Sequence, residues 1–264
     1  MKKKKSGLAL ALGGGGAKGF AHIGVIQVLE ENRIPIASIT GTSMGALVGG
    51  MYALYQDSGL VYDFIKTTLH TKLFSLLTDV ANSGGFSSGK TITRLIHDFA
   101  DGKTCHQTKI PFCAMATDLA TGNPVTLRNG SIAQAIRASI SYPPVFDPVK
   151  KGKTILVDGG LSAEVPVVQA RKMGASMVVA VNLEAHYCGL IQKKLSPTLL
   201  AKDSIHLLLR SCASIACQSA DVVIEPKVGC VGVWKDFGKM DEIIALGRAA
   251  AKKALPKIKK LLRK

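Results

Sequence analysis

The chain has 264 residues, of which 47% are apolar, which excludes a disordered polymer and allows one large buried core. Aromatic residues make up 5% and glycines number 27, a balance that suits an α/β protein rich in strand–loop–helix corners and offers little for stacking nucleic-acid bases. The formal charge of +16 favours anionic partners, and no apolar run reaches the roughly 18 residues that cross a bilayer.

In chain order, Met1-Lys2-Lys3-Lys4-Lys5 followed by Leu8 to Leu12 imitates a signal peptide, but the apolar part is short and runs into glycines. It reads as a basic arm entering a buried strand, and with it goes the expectation of a cytoplasmic protein. Gly13 to Gly16 end that strand, and Phe20 to Asn32 reads as a helix. A second strand, Ile36 to Thr40, leads into a helix over Ala46 to Tyr55. Residues 57–90 are less regular, with Asn82-Ser83-Gly84-Gly85 as an exposed loop before a helix from Thr91 to Phe99. A strand over Ile110 to Thr117 precedes a helix over Ile132 to Ala138, which Tyr142-Pro143-Pro144 breaks. Thr154 to Val157 is a strand that delivers Asp158. Val167 to Met173 reads as helix, Met177 to Val181 as strand, Leu199 to Ser219 as a long helix and Val222 to Ile224 as a last strand. A final helix is predicted from Asp241 to Leu255, stopping before Pro256.

Strands alternating with helices imply a three-layer α/β sandwich around a mostly parallel central sheet. No repeat or linker interrupts the chain. Residues 1–264 therefore read as a single domain, with a core over about 8–226 and a basic helical segment over 238–264. Six cysteines are scattered without a Cys-x-x-Cys pair, so a zinc site is not expected, and reduced thiols are.

Three elements carry chemistry. Gly41-Thr42-Ser43-Met44-Gly45 places Ser43 on a strand-to-helix turn, where a hydroxyl is exposed and a helix N-terminus favours developing negative charge. The pentapeptide alone is weak, since Gly85-Phe86-Ser87-Ser88-Gly89 matches it too, without a strand before it. The glycine run is the second element. Small residues between a strand and a helix leave backbone N–H groups free to converge on an anion. The same run, Gly14-x-Gly16-x-x-Gly19, fits a dinucleotide fingerprint, but the second strand ends without the carboxylate that would bind ribose. Asp158, at the end of an apolar strand and before Gly159-Gly160, is the third element and the candidate base.

These elements, Gly13 to Gly24, Gly41 to Ala46 and Asp158-Gly159-Gly160, resemble the patatin-like phospholipase family, most closely its small single-domain bacterial members. Weaker echoes are Ala116-Thr117-Asp118-Leu119, Arg137-Ala138-Ser139 and Glu164-Val165-Pro166-Val167. The resemblance covers nearly the whole chain in the family's order. It implies a patatin-like fold and a Ser–Asp dyad, with Ser43 the nucleophile, Asp158 the base and Gly14, Gly15 and Gly16 the oxyanion loop. It also implies lipid-ester substrates, phospholipids included, and no metal or organic cofactor. Lys18 is expected to hold the loop or to bind an anionic head group. One departure is Ala163-Glu164 before Val165-Pro166, where the family usually has an asparagine.

Rival readings remain. Gly84 to Thr91 formally matches a phosphate-binding Gly-x-x-x-x-Gly-Lys-Thr loop, which would make a nucleotide hydrolase. His186 or His206 would complete a Ser–His–Asp hydrolase, whereas His22 reads as structural. Apolar residues among the lysines of 249–264 suit a basic module lying on an anionic membrane, and peripheral membrane contact is the partner expectation that follows. Nucleic acid is not an expected partner.

Overall fold

In the computed structural model, residues 5–77, 79–81, 85–186, 188 and 196–263 are described. Strand β1 (Lys5–Leu12) leads through a 3-10 turn (Gly16–Phe20) to α1 (Ala21–Glu31), β2 (Ile36–Thr42), α2 (Met44–Tyr55), α3 (Ser58–Leu77) and α4 (Lys90–Phe99). Then come β3 (Phe112–Asp118), β4 (Pro124–Leu127), α5 (Ile132–Ser139), β5 (Val149–Lys151), β6 (Thr154–Asp158), α6 (Gly160–Ala163) and α7 (Val167–Lys172). β7 (Ala175–Val181), α8 (Pro197–Cys217), β8 (Val222–Ile224) and α9 (Met240–Leu262) complete the order.

The sheet runs β5-β6-β3-β2-β1-β7-β8, with β4 paired to β3 outside that path. The five strands β3, β2, β1, β7 and β8 are mutually parallel, and β4, β6 and β5 add antiparallel partners at one side. Sequence alternation decides what lies on each face. Leu8, Leu10 and Leu12 of β1 point into the larger core with α1, α2 and α9, while Ala9 and Ala11 meet Val167 and Ala170 of α7 and Ala213 and Cys217 of α8. The result is the expected three-layer α/β sandwich with a mostly parallel sheet. Small alanines on the second face let the helices of that layer pack close.

Several elements differ from the sequence reading. The segment read as irregular after residue 57 is the 20-residue helix α3, whose apolar residues are spread around the helix instead of along one stripe. The short strands β4 and β5 were not foreseen, since both are largely exposed and only three or four residues long. α9 does not stop at Pro256 but runs to Leu262. A proline inside a helix costs about 3 kcal/mol. Beyond it, Ile258 is fully buried, Leu261 and Leu262 pack on the core, and Lys259 Nζ donates to Asn32 Oδ1 at 2.8 Å. Burying one such Ile is worth about 1.5–3 kcal/mol, so the last turns offset the penalty. The same packing overturns the reading of 249–264 as a helix with its apolar side free for a membrane: that side faces the core. Among the described residues, no helix is long and apolar enough to cross a membrane. Residues 82–84 of the expected Asn82–Gly85 loop lie outside the described residues.

Candidate active site

Ser43 stands between β2 and α2 with φ 52° and ψ −122°, a conformation that few non-glycine residues adopt and that lifts the side chain out of the turn. The flanking glycines are required by contact. A Cβ on Gly41 would run into the Gly45 backbone, and a Cβ on Gly45 would run into the Leu12 carbonyl. The turn is held from three sides. Ser43 N–H donates to Ser139 Oγ at 2.9 Å, Thr42 Oγ1 donates to the Ala163 carbonyl at 2.6 Å, and Leu47 N–H donates to the Ser43 carbonyl at 3.1 Å.

β6 brings Asp158 to the same place. Ser43 Oγ donates to Asp158 Oδ2 at 2.7 Å, and Gly160 N–H donates to Asp158 Oδ1 at 2.7 Å. The aspartate's main chain is fixed as well, since its N–H donates to the Ser141 carbonyl and its own carbonyl accepts from Thr117 Oγ1 at 2.8 Å. Asp158 is buried, and burial pushes its carboxyl up to about 6, against the pull of the Ser43 and Gly160 hydrogen bonds. A carboxyl shifted this way has the proton affinity that general-base chemistry near neutral pH requires.

Both residues open on one cavity, which Gly14, Gly15 and Gly16 also line. Its other walls are largely apolar, including Leu47, Ile140, Leu161, Leu209, Val233 and Phe237. The glycine loop does not act as a uniform set of donors. Gly14, expected among the oxyanion donors, gives its N–H to the Glu164 carbonyl at 3.1 Å and so anchors the loop. Gly15 (φ 143°) and Gly16 (φ 54°) turn the chain beside the cavity, and no acceptor for either N–H is found among the described residues.

Lys18 is also placed differently from the expected substrate contact. It is 1% exposed, does not line the cavity, and its Nζ donates to Glu184 Oε1 at 2.8 Å. The ion pair ties the turn after the glycine loop to the segment after β7. A buried cation needs such a partner, and Glu184 has taken the place of a head group.

Around that pair lies a polar group of which the sequence reading named Glu164, as a departure from the family, and His206, as a rival histidine, but not Glu184. Glu184, Glu164 and His206 all line the cavity, and His206 Nδ1 lies 3.9 Å from Glu184 Oε2. Burial, joined by the charges of Glu184 and Asp158, holds Glu164 well above the usual carboxylate range, with Lys18 opposing. Glu184 lies three residues beyond β7, whose last five residues are apolar, near the carboxyl end of a strand as Asp158 is at the end of β6, so a related signal was available. Ser139, which holds the Ser43 N–H, appeared only as a weak echo beside Arg137. Arg137 itself is buried and donates to Ser141 Oγ at 2.6 Å and to the Ser88 and Asp147 carbonyls at 2.9 and 2.8 Å.

Of the rival residues, His206 does line the cavity, with Glu184 as its ion-pair neighbour; the other rivals fall elsewhere. Ser87 is buried in a bridge with Phe146 and is not in the cavity. Leu73–Leu77, the segment available as the strand before a phosphate-binding loop, belongs to α3, and both the N–H and the Oγ1 of Thr91 donate to the Asp79 carboxylate. His186 is exposed and away from the cavity. His22 is buried with Nε2 2.8 Å from the Gly13 carbonyl, and burial lowers its pKa to about 4. The cysteines depart from expectation too: Cys188 and Cys230 form a disulfide, while Cys105, Cys113, Cys212 and Cys217 are free.

Comparison with known proteins identifies the family of the chain and the likeness of its fold. The model of the family described as patatin-like phospholipase matches residues 10–171. An uncharacterized NTE family protein of Mycobacterium tuberculosis is 36% identical over 182 residues, which cover 69% of this chain and 50% of that protein. Patatin-like phospholipase domain-containing protein 6 of Homo sapiens is 28% identical over 274 residues, covering 91% of this chain and 20% of that protein. The chain thus spans half or less of the length of these curated relatives. Among solved structures, VipD from Legionella pneumophila superposes with a TM-score of 0.66 at 14% identity, over 96% of this chain and 67% of that one, a likeness of fold. On the family match and the 36% identity, the chain belongs to the patatin-like phospholipase family.

Proposed function

We propose that this chain is a serine hydrolase of lipid esters that works through a Ser43–Asp158 dyad and an acyl-enzyme. The observation that carries the reading is the 2.7 Å hydrogen bond from Ser43 Oγ to a buried Asp158, at the mouth of a helix N-terminus and inside an apolar cavity. Asp158 takes the Ser43 proton as Oγ attacks the ester carbonyl. The tetrahedral oxyanion is received by the N–H groups of Gly15 and Gly16, with Gly14 bracing them, and one such donor is worth about 3 kcal/mol. The alcohol leaves with the proton held by Asp158. A water activated by the same carboxylate then releases the acid, or another acceptor alcohol takes the acyl group. The apolar walls suit an acyl chain, and the family match supports a lipid ester as the substrate class.

The test is a fluorophosphonate probe combined with turnover of a short-chain ester and a phospholipid. Wild type and Ser87→Ala should label and turn over. Ser43→Ala should do neither, and Asp158→Asn should lose at least about a hundredfold in kcat. Full labelling of Ser43→Ala would refute the assignment.

A further inference from the structure

α8 has two unlike sides. His206, Ala213 and Cys217 are buried, and His206 and Leu209 line the cavity that holds Ser43. At 100° per residue these positions share one side of the helix. The opposite side carries Leu200 (57% exposed), Leu207 (55%), Leu208 (67%) and Ile215 (65%), with Ile205 (39%) at its border. The positions between them on that side are Ala201, Ser204, Ser211 and Cys212, so no charge interrupts it. Exposed leucines are ordinary when scattered, but a row of them on one charge-free helix face marks a surface that meets something apolar. Leu161 of α6, which packs against α8, is also exposed and lines the cavity.

Charge identifies the occupant. The chain carries +16, and exposed Arg210 and Lys235 directly follow the cavity-lining residues Leu209 and Trp234. Such a charge opposes association with a second copy and draws the protein to an anionic surface. We infer that the outward face of α8 is the membrane-docking surface: it seats in an anionic lipid interface, leaving the opposite side of the same helix as a wall of the lipid-ester cavity. The inference takes its purpose from the hydrolase reading but not its test. It also moves membrane contact from the C-terminal helix, whose apolar side is packed, to α8.

Cys212 supplies a direct probe, because it lies on this face and is exposed, while the other described free cysteines are buried. Wild type labelled there with an environment-sensitive fluorophore should shift to the blue and become shielded from iodide on mixing with phosphatidylcholine–phosphatidylglycerol vesicles. With phosphatidylcholine alone, or in high salt, the response should weaken. The same label on Lys253→Cys in a Cys212→Ser background, on the exposed side of α9, should not respond. The double variant Leu207→Ser/Leu208→Ser should lose vesicle binding by about tenfold or more while turnover of a soluble short-chain ester is unchanged. A silent Cys212 label, a response at residue 253 instead, or wild-type binding by the double variant each overturns the assignment. So does a solution dimer that the double variant dissolves, which would give the face to a second copy. If the Cys212 label responds but no ester is turned over, the docking surface stands and the hydrolase reading falls.

Discussion

At Asp158, burial raises the proton affinity that the proposed base needs and opposes stability at once. The carboxyl titrates near 6 in the fold against an ordinary 3.8, because the folded state disfavours its charge. Below about pH 4 the group is protonated whether folded or not, and its full contribution to stability is present. As pH rises from 4 through 6 the unfolded chain releases the proton first, so stability is lost, by about 3 kcal/mol once both states are ionised. Replacing the carboxylate with an amide of the same shape removes that loss. Asp158→Asn should therefore unfold at a higher denaturant concentration than wild type at pH 8, with the gain shrinking toward zero at pH 4, while its turnover is lost. Urea titrations at the two pH values check this, and a variant that is less stable at pH 8 would contradict it. The residue was legible in the sequence because it ends an apolar strand and precedes two glycines. Glu164, four residues beyond Gly160, was read only as part of a departure from the family. Its carboxyl faces Gly14, Gly160 and the cavity, and a charge there becomes visible only when α6 folds back over the glycine loop.

At the scale of elements, the pairing of α1 with α9 shows how much sequence periodicity reveals and where it stops. Gly247 of α9 lies against α1 so closely that a Cβ there would run into the Ala21 carbonyl. Gly247→Ala gains about 1 kcal/mol of helix propensity and incurs about 1–3 kcal/mol of overpacking against backbone that cannot yield. The net expectation is a loss of stability with a lower Tm, whereas Gly238→Ala, where nothing lies within 4 Å, should leave Tm within a degree or so. Thermal unfolding of the two variants decides it. Buried parallel strands such as β1 and β7 were legible because they are nearly continuous apolar runs ended by turn residues, and β2 because the Gly-x-Ser-x-Gly turn follows it. α3 was not, because its apolar residues form no stripe, and β4 and β5 were not, because pairing to β3 and β6 stabilises them and their own composition does not. The end of α9 was misplaced because a local rule about Pro256 was applied where long-range burial of Ile258 decides.

Across the whole molecule, the parallel strands place β2, β1 and β7 with their carboxyl ends side by side, which is why Ser43, the glycine loop and Glu184 meet although they lie far apart in the chain. The described parts of the segments after β7 and β8 lie at that end of the sheet. The second of them supplies Val233 and Trp234 to the cavity wall, and the Val233 carbonyl accepts from Ala17 N–H at 3.0 Å, just past the glycine loop. Cys188 and Cys230 join these two segments across 42 residues of sequence, so the disulfide braces the wall of the site. No local spacing reveals such a pair, and the expectation of reduced thiols rested on chain size and on reading no export signal at the N-terminus. The bridge makes two linked predictions. Denatured but unreduced protein should titrate four thiols out of six cysteines, and peptide mapping should recover Cys188 joined to Cys230. Constraining a loop of this length stabilises by at most about 4 kcal/mol, so reductant should lower the unfolding midpoint of wild type and leave Cys188→Ser/Cys230→Ser unmoved. Six titratable thiols, or equal sensitivity of the double variant to reductant, would remove the bridge from the folded protein and leave the cavity wall held by the Ala17–Val233 hydrogen bond and its apolar contacts.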